Sequence, residues 1–429
     1  MTSEPALPAR VATALAAAPS PVCAYVYDVA TLRANAAALR SALPGGTVVL
    51  YAVKANGHPA VVRALGDGLD GWEVASGGEL ALALAARADP PARPDGTERD
   101  GLTAGGRIAF GGPAKTDTEL TAAVRAIRDG VDVTVNVESP GELRRLALVA
   151  GDTAVRVALR VNRPGAVIGG SHQMTGVPTP FGIDEAQLTD AIALAGALPN
   201  IDLLGFHLHA VSNNLDAAAH ATFIGEALDW SARTAARAGI DLRVVNVGGG
   251  LGVDYTGDRA FDLDALRAGL PAVPPGVTLV LEPGRILAAS AGWYAAEVID
   301  LKRTHGRWFA VLRGGTHHFR LPAAWGYSHP FTVLPREGWS YPFDRPEIRD
   351  VDVDAVGELC TPRDVLARGQ RVARIRVGDV LVFGNTGAYG WDISHHEFLR
   401  HPYPEMVVLA VDLHDRRQSP ASDAWDDLR

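Results

Sequence analysis

The 429-residue sequence has only two cysteines, Cys23 and Cys360, so it carries no disulfide framework and no cysteine spacing suited to zinc. No metal site is expected. No apolar run approaches the roughly 18 residues of a membrane span. The opening Met-Thr-Ser-Glu-Pro-Ala lacks the basic and apolar stretches of a secretory signal. Positive charge is not in excess: the net charge is −9 at pH 7, which argues against a general nucleic-acid backbone binder. There is no internal repeat and no extended low-complexity tract. These absences point to a soluble cytoplasmic protein. With 47% hydrophobic residues the chain can bury a large core, and its length suits two domains.

After a featureless Ala/Pro-rich start (1–20), residues 22–27 read as a strand, and Asp28 caps a helix over 31–43. Short apolar strands are then predicted at 48–54, 71–76, 107–113, 131–137, 155–162, 202–210, 243–250 and 278–284. Between them lie Ala-, Leu-, Glu- and Arg-rich helical stretches such as 78–87, 117–127, 142–149, 184–198 and 216–238. A doubly wound sheet shares this alternation, but eight units with polar residues at the strand ends favour a (β/α)8 barrel over 31–290. Two breaker-rich loops, 88–107 and 163–180, read as surface insertions, the second placed to serve as a mobile substrate loop. Beyond 290 strands follow one another at 293–303, 307–313, 351–357, 379–384 and 406–411, a C-terminal all-β domain (291–429) joined by the strand within 1–30. The charged residues from 412 on are expected to fray.

The stretch Val48-Val-Leu-Tyr-Ala-Val-Lys-Ala-Asn56 is a buried strand that delivers Lys54 at its C-terminal end. A lysine there can snorkel to the surface, or desolvation can lower its pKa and free it for Schiff-base chemistry. In a barrel, polar strand ends converge on one mouth. Strand five ends in Arg160-Val-Asn162 and strand six in His207-Leu-His209-Ala-Val-Ser212. Strand seven ends in Gly248-Gly-Gly250 and strand eight in Glu282-Pro-Gly-Arg285. Alone, each has a plain explanation: a tight turn, a satisfied core histidine, a surface ion pair. Together they are coherent. A glycine turn with Ser212 and Arg285 cradles a phosphate, an imidazole stacks on a flat ring, a carboxylate holds a pyridine nitrogen protonated, and a lysine joins an aldehyde. That set describes pyridoxal 5′-phosphate.

The chain resembles the alanine-racemase-like (fold type III) pyridoxal-phosphate enzymes, specifically the diaminopimelate/ornithine/arginine decarboxylase group, from about Tyr25 to Leu409. The resemblance rests on Tyr51-Ala-Val-Lys-Ala-Asn56, Ala75-Ser-Gly-Gly-Glu79, Gly112-Pro-Ala-Lys115, Phe181-Gly182, Gly205-Phe-His-Leu-His-Ala-Val-Ser212 and Val247-Gly-Gly-Gly-Leu-Gly252. It continues through Glu282-Pro-Gly-Arg285, Gly357-Glu-Leu-Cys-Thr-Pro-Arg-Asp364 and Gly387-Ala-Tyr389. It implies a head-to-tail homodimer with shared active sites. It implies Lys54 as Schiff-base lysine, His209 stacked on the ring (through its spacing to Ser212), and Glu282 on the pyridine nitrogen. Gly248, Gly249, Gly250, Ser212, Arg285 and Tyr389 would hold the phosphate. Cys360 would cross the dimer interface to protonate the intermediate left after CO2 departs; the plain alternative is a small buried hydrophobe.

Departures from the family bear on the substrate. Diaminopimelate decarboxylases usually have Glu after this cysteine; here Thr361 follows, with Arg363 beyond and Asp364 ending the motif. Their Asp-Gly-Gly-Met-Asn-Asp type segment is here Arg313-Gly-Gly-Thr-His-His-Phe-Arg-Leu-Pro322, which brings His317, His318 and Arg320, and Pro180 replaces a basic residue. Trading carboxylates for guanidinium groups suits an anionic distal group. The pattern resembles the siderophore-pathway subgroup, whose members decarboxylate citryl-diaminopropionate or similar intermediates, with Thr361, Arg363, Asp364, His318 and Arg320 expected to bind substrate. The alternatives are diaminopimelate decarboxylation, amino-acid racemisation and non-catalytic cofactor binding. The cysteine motif and dimer-interface aspartate argue against racemisation, and the β domain with its Cys360 and Tyr389 motifs argues against non-catalytic binding.

Overall fold

The computed structural model describes residues 7–88, 106–165, 168–257 and 259–410. They form two compact units: Asn35–Ser290 with Gly387–Ile393, and a second from the residues up to Ala34, Ala291–Thr386 and those from Ser394 on. No helix among the described residues is long and apolar enough to cross a membrane.

The first strand, β1 (Cys23–Asp28), belongs to the second unit. The first unit is a closed parallel barrel of β2 (Val48–Ala52), β3 (Gly71–Val74), β4 (Arg107–Phe110), β5 (Val133–Val137), β6 (Val155–Asn162), β7 (Ile201–His207), β8 (Val244–Asn246) and β9 (Thr278–Leu281). Closure comes from β9 against β2, with Val280 opposite Val48 and Leu281 opposite Val49. All eight predicted barrel strands are present. Every residue of β2 is buried, which is why it reads as an unbroken apolar run: a barrel strand meets side chains within and helices without. Val48, Leu50, Ala109 and Val280 pack together in one such cluster.

Two of the barrel unit's helices start at a side-chain acceptor. Thr116 and Glu119 form a reciprocal capping box on Asp117–Arg128, and Asp216 caps Ala217–Ala238, which ends at left-handed Gly239. The insertion expected at 88–107 lies almost wholly outside the described residues, as does the charged tail from 412. The other insertion is fastened down rather than free of the fold. Ile168 and Thr175 are buried, Arg163 N–H donates to Thr175 Oγ1 at 2.7 Å, and Met174 N–H donates to Ala210 O at 2.8 Å.

In the second unit β1 joins β10 (Gly292–Thr304), β11 (Arg307–Leu312), β12 (Phe331–Leu334), β13 (Glu347–Val356), β14 (Val365–Arg376), β15 (Val380–Phe383) and β16 (Glu405–Leu409). The order is β12-β15-β10-β11-β13-β14, with β1 between β10 and β16. Sequence reading missed β12 and β14. In β14 the arginines 368, 371 and 374 and a register shift against β13 interrupt the alternation that marks a strand. It also missed the helix Ala9–Ala17, whose Val11 and Leu15 are fully buried against Val22, Trp293 and Val382.

Candidate active site

Lys54 lies in a single 3-10 turn, Val53–Ala55, that ends β2 at the barrel's C-terminal rim. Its neighbours Val53 and Ala55 are buried, while its own side chain is 45% exposed, so solvent or a ligand reaches the amine. Nζ donates to Glu73 Oε2 at 2.6 Å. Glu73 is delivered by β3, where it pairs with Ala52 of β2. The expectation that desolvation would lower the lysine's pKa is overturned. Burial does oppose the charge, but Glu73, followed by Tyr389 and Glu282, outweighs it and holds the amine above its ordinary value.

Across the mouth, Glu282 is buried at the end of β9. Its Oε1 accepts from Asn246 Nδ2 at 2.6 Å and from Asn136 Nδ2 at 3.2 Å, and Oε2 lies 3.4 Å from His207 Nε2. Burial alone would raise its pKa; His207, Lys54 and Asn246 outweigh it and pull the carboxyl down to about 2. Glu282 is therefore a carboxylate at neutral pH. His209 is kept neutral, its pKa pushed well down first by burial and then by Arg160 and Lys54. Its Nδ1 accepts from Gly249 N–H at 3.2 Å, which sets the ring's orientation.

The glycine turn after β8 is a cradle that side chains would fill. A Cβ on Gly248 would lie 2.3 Å from His209 Nδ1, and one on Gly249 2.4 Å from Glu282 O. Gly248 and Gly250 also take φ of +69° and +106°. Beside the turn, buried Arg285 donates to Ser212 Oγ at 2.9 Å and stacks 4.6 Å over the Tyr389 ring. Tyr389 comes from far along the chain: Gly387–Ile393 returns to the barrel unit, where Tyr389 N–H donates to Ala55 O at 2.7 Å and Asn56 Nδ2 donates to Gly387 O at 2.9 Å. The chain thus gathers Lys54, His209, Ser212, Gly248–Gly250, Glu282, Arg285 and Tyr389 at one rim. Amine, neutral imidazole, carboxylate and glycine–guanidinium cradle fit pyridoxal phosphate's aldehyde, ring face, ring nitrogen and phosphate. Glu73, Asn136, Asn246 and His207, which buttress the lysine and the carboxylate, escaped sequence reading. Each is set by strand register, and of the four only His207 is marked in the sequence, as a strand end without a role.

In the β unit, Cys360 is exposed on the loop 357–364. Beside it lies a cleft of about 910 Å³ lined by Thr316, Arg320, Thr361, Arg363, Arg368 and His395 among others. Two predicted substrate residues are not in that lining. Asp364 is 2% exposed, and its carboxylate accepts from Thr316 N–H at 2.6 Å and Leu359 N–H at 2.8 Å. His318 is fully buried, 3.4 Å from Cys23 Sγ, and burial, helped by His317, pushes its pKa down to about 2.

Residues 29–289 match the family described as pyridoxal-dependent decarboxylase, pyridoxal binding domain. The chain is 39% identical over 401 residues to the 2-[(L-alanin-3-ylcarbamoyl)methyl]-2-hydroxybutanedioate decarboxylase of Staphylococcus aureus, covering 91% of this chain and 94% of that one. It is 30% identical to the L-glutamyl-[BtrI acyl-carrier protein] decarboxylase of Niallia circulans, covering 93% and 92%. Among solved structures, the diaminopimelate decarboxylase of M. jannaschii superposes with a TM-score of 0.76 at 25% identity, covering 94% of this chain and 89% of that one.

Proposed function

Since this chain belongs to the pyridoxal-dependent decarboxylases, and is thus a carboxy-lyase that uses pyridoxal 5′-phosphate, we propose that its substrate is an amino acid conjugated to a polycarboxylate, of the siderophore-intermediate type. The carrying observation is the lining of the β-unit cleft: three arginines, one histidine and, among the described residues, no acid. Such a surface suits carboxylates and disfavours the free ammonium of diaminopimelate. The S. aureus relative agrees, since its name specifies a hydroxybutanedioate.

The geometry supports the cofactor-site roles. When bound, pyridoxal phosphate supplies an aldehyde that bonds an amine and a ring that accepts the electron pair left as CO2 departs. Lys54 would hold the aldehyde, with Glu73 placed to take up or return the lysine's proton. Glu282 would keep the ring nitrogen protonated, and His209 would hold the ring's face. Gly248, Gly249, Gly250, Ser212, Arg285 and Tyr389 hold the phosphate. Arg363, Arg320 and Thr361 bind the distal carboxylates. Asp364 and His318 act from within the β unit, Asp364 by holding the loop. The enzyme works in the cytoplasm as a homodimer. The partner subunit's Cys360 gives its thiol proton to the substrate carbon and regains one from water.

Purified holoenzyme offered the hydroxybutanedioate conjugate, diaminopimelate and a panel of amino acids tests this by CO2 release. Turnover of the conjugate supports the proposal. Release from diaminopimelate alone, or chiral inversion without CO2, sinks it.

A further inference from the structure

The loop bearing Cys360 is held from both ends, and the two anchors differ. At its far end Asp364 engages backbone only, as described above. At its near end the anchor is a side chain two residues from the cysteine. Glu358 Oε1 accepts a hydrogen bond from Arg313 Nη1, lies 3.5 Å from His317 Nε2 and lies 3.6 Å from His401 Nδ1. The Glu358 N–H adds a bond to Gly314 O at 3.0 Å. The partners come from three places: the end of β11, the turn after it, and the segment before β16. The contact is partly enclosed, with side-chain exposures of 19% for Glu358, 16% for Arg313, 0% for His317 and 28% for His401.

We propose that Glu358 is the positioning residue for Cys360, its single carboxylate gathering Arg313, His317 and His401 so that the loop presents the thiol in one place. Two residues span at most about 7 Å of chain, so a shift at Glu358 reaches the cysteine with little slack. Burial tends to raise the carboxyl's pKa, but the His317 contact, then Arg313 and His401, hold it below the usual carboxylate range, so the clamp is charged at neutral pH. Cys23, 3.4 Å from His318, and His318 itself also border this cluster, and neither carries charge at neutral pH: burial pushes the Cys23 thiol up to about 12 and the His318 ring down to about 2. Removing the carboxylate leaves Arg313 without its counter-ion in a half-buried setting, which a loop shift relieves. Sequence alone gave no hint of this, because Glu358 and Arg313 are 45 residues apart.

The inference rests on Cys360 as proton donor, and a mutant cycle in the holoenzyme separates the two ideas. Glu358→Gln, which keeps the side chain's shape, is expected to lower kcat for the conjugate about tenfold with KM changed less than about twofold. In a Cys360→Ala background the same substitution is expected to cost nothing further, since it acts through the thiol. His401→Gln, at the most exposed partner, gives a smaller loss of the same pattern and stands in if Glu358→Gln does not fold. An unchanged kcat, or equal losses in both backgrounds, overturns the positioning role. If Cys360→Ala alone turns over at the wild-type rate, the proton-donor reading fails. Iodoacetamide labelling of Cys360, followed by peptide mass spectrometry with Cys23 as the internal reference, then decides: a Glu358→Gln rate altered about fivefold or more sustains the clamp, and an unaltered rate overturns it.

Discussion

Lys54 and Glu73 meet at 2.6 Å because neighbouring parallel strands set Ala52, two residues before the lysine, beside Glu73. Replacing Lys54 with Ala removes the amine that the Tyr51–Asn56 motif supplies at the rim. Loss of the visible absorbance of lysine-bound cofactor is expected, together with a fall in decarboxylation of roughly 10³-fold or more. Retained absorbance would contradict the assignment. Arg363→Ala tests the substrate reading: a charge-assisted contact is worth about 1.5–3 kcal/mol, so KM for the conjugate rises about tenfold or more while cofactor absorbance is unchanged. Glu79 contributes a pH dependence to stability. Burial raises its carboxyl from 4.5 to about 7, against the Ala75 N–H that bonds it. A raised acid pKa means the folded chain binds the proton more tightly than the unfolded one. Its stabilising contribution is therefore complete below 4.5 and is lost as pH rises through about 7. Glu79→Gln flattens Tm against pH across that window in the cofactor-free protein; an unchanged slope refutes the assignment.

Elements owe their stability to features of unequal legibility. The Gly112-Pro-Ala-Lys115 motif ends in a buried brace: Lys115 Nζ donates to Glu142 Oε1 at 2.7 Å, Gly112 O at 2.7 Å and Asn136 O at 2.9 Å. The motif ties β4 and β5 to the helix Pro140–Ala150 rather than facing a ligand. Lys115→Met strands Glu142 as a buried charge and costs about 3–5 kcal/mol in denaturant unfolding. The helix Ala9–Ala17 was illegible for a different reason. Among its small residues only Val11 and Leu15 are large enough to mark a face, and they acquire meaning only against Trp293 and Val382. Leu15→Ala leaves a cavity there and is expected to destabilise by about 2–5 kcal/mol.

At the scale of the whole molecule, the β/α rhythm was readable because a closed parallel sheet needs strands apolar on both faces. The β unit was less readable, since strands such as β14 expose one face and bulge. The proposed homodimer has its own test. Lys54→Ala and Cys360→Ala each abolish or cripple turnover; if sites are shared, mixing and re-equilibrating the two recovers about a quarter of wild-type activity, from mixed dimers with one intact site. No recovery, with exchange confirmed by mass, would place Cys360 and Lys54 in the same subunit's site or remove Cys360 from it.

By itself the sequence determined the eight strands, the rim to which their ends contribute, and the cofactor those ends fit, because each follows from local pattern: apolar runs, glycine triplets and polar residues at fixed offsets. Tertiary structure alone decided the pairing of Lys54 with Glu73, the asparagines and His207 around Glu282, the return of Tyr389 to the barrel, and the Glu358 clamp. Those contacts join residues from 19 to more than 300 positions apart, through register and packing that no window of sequence contains.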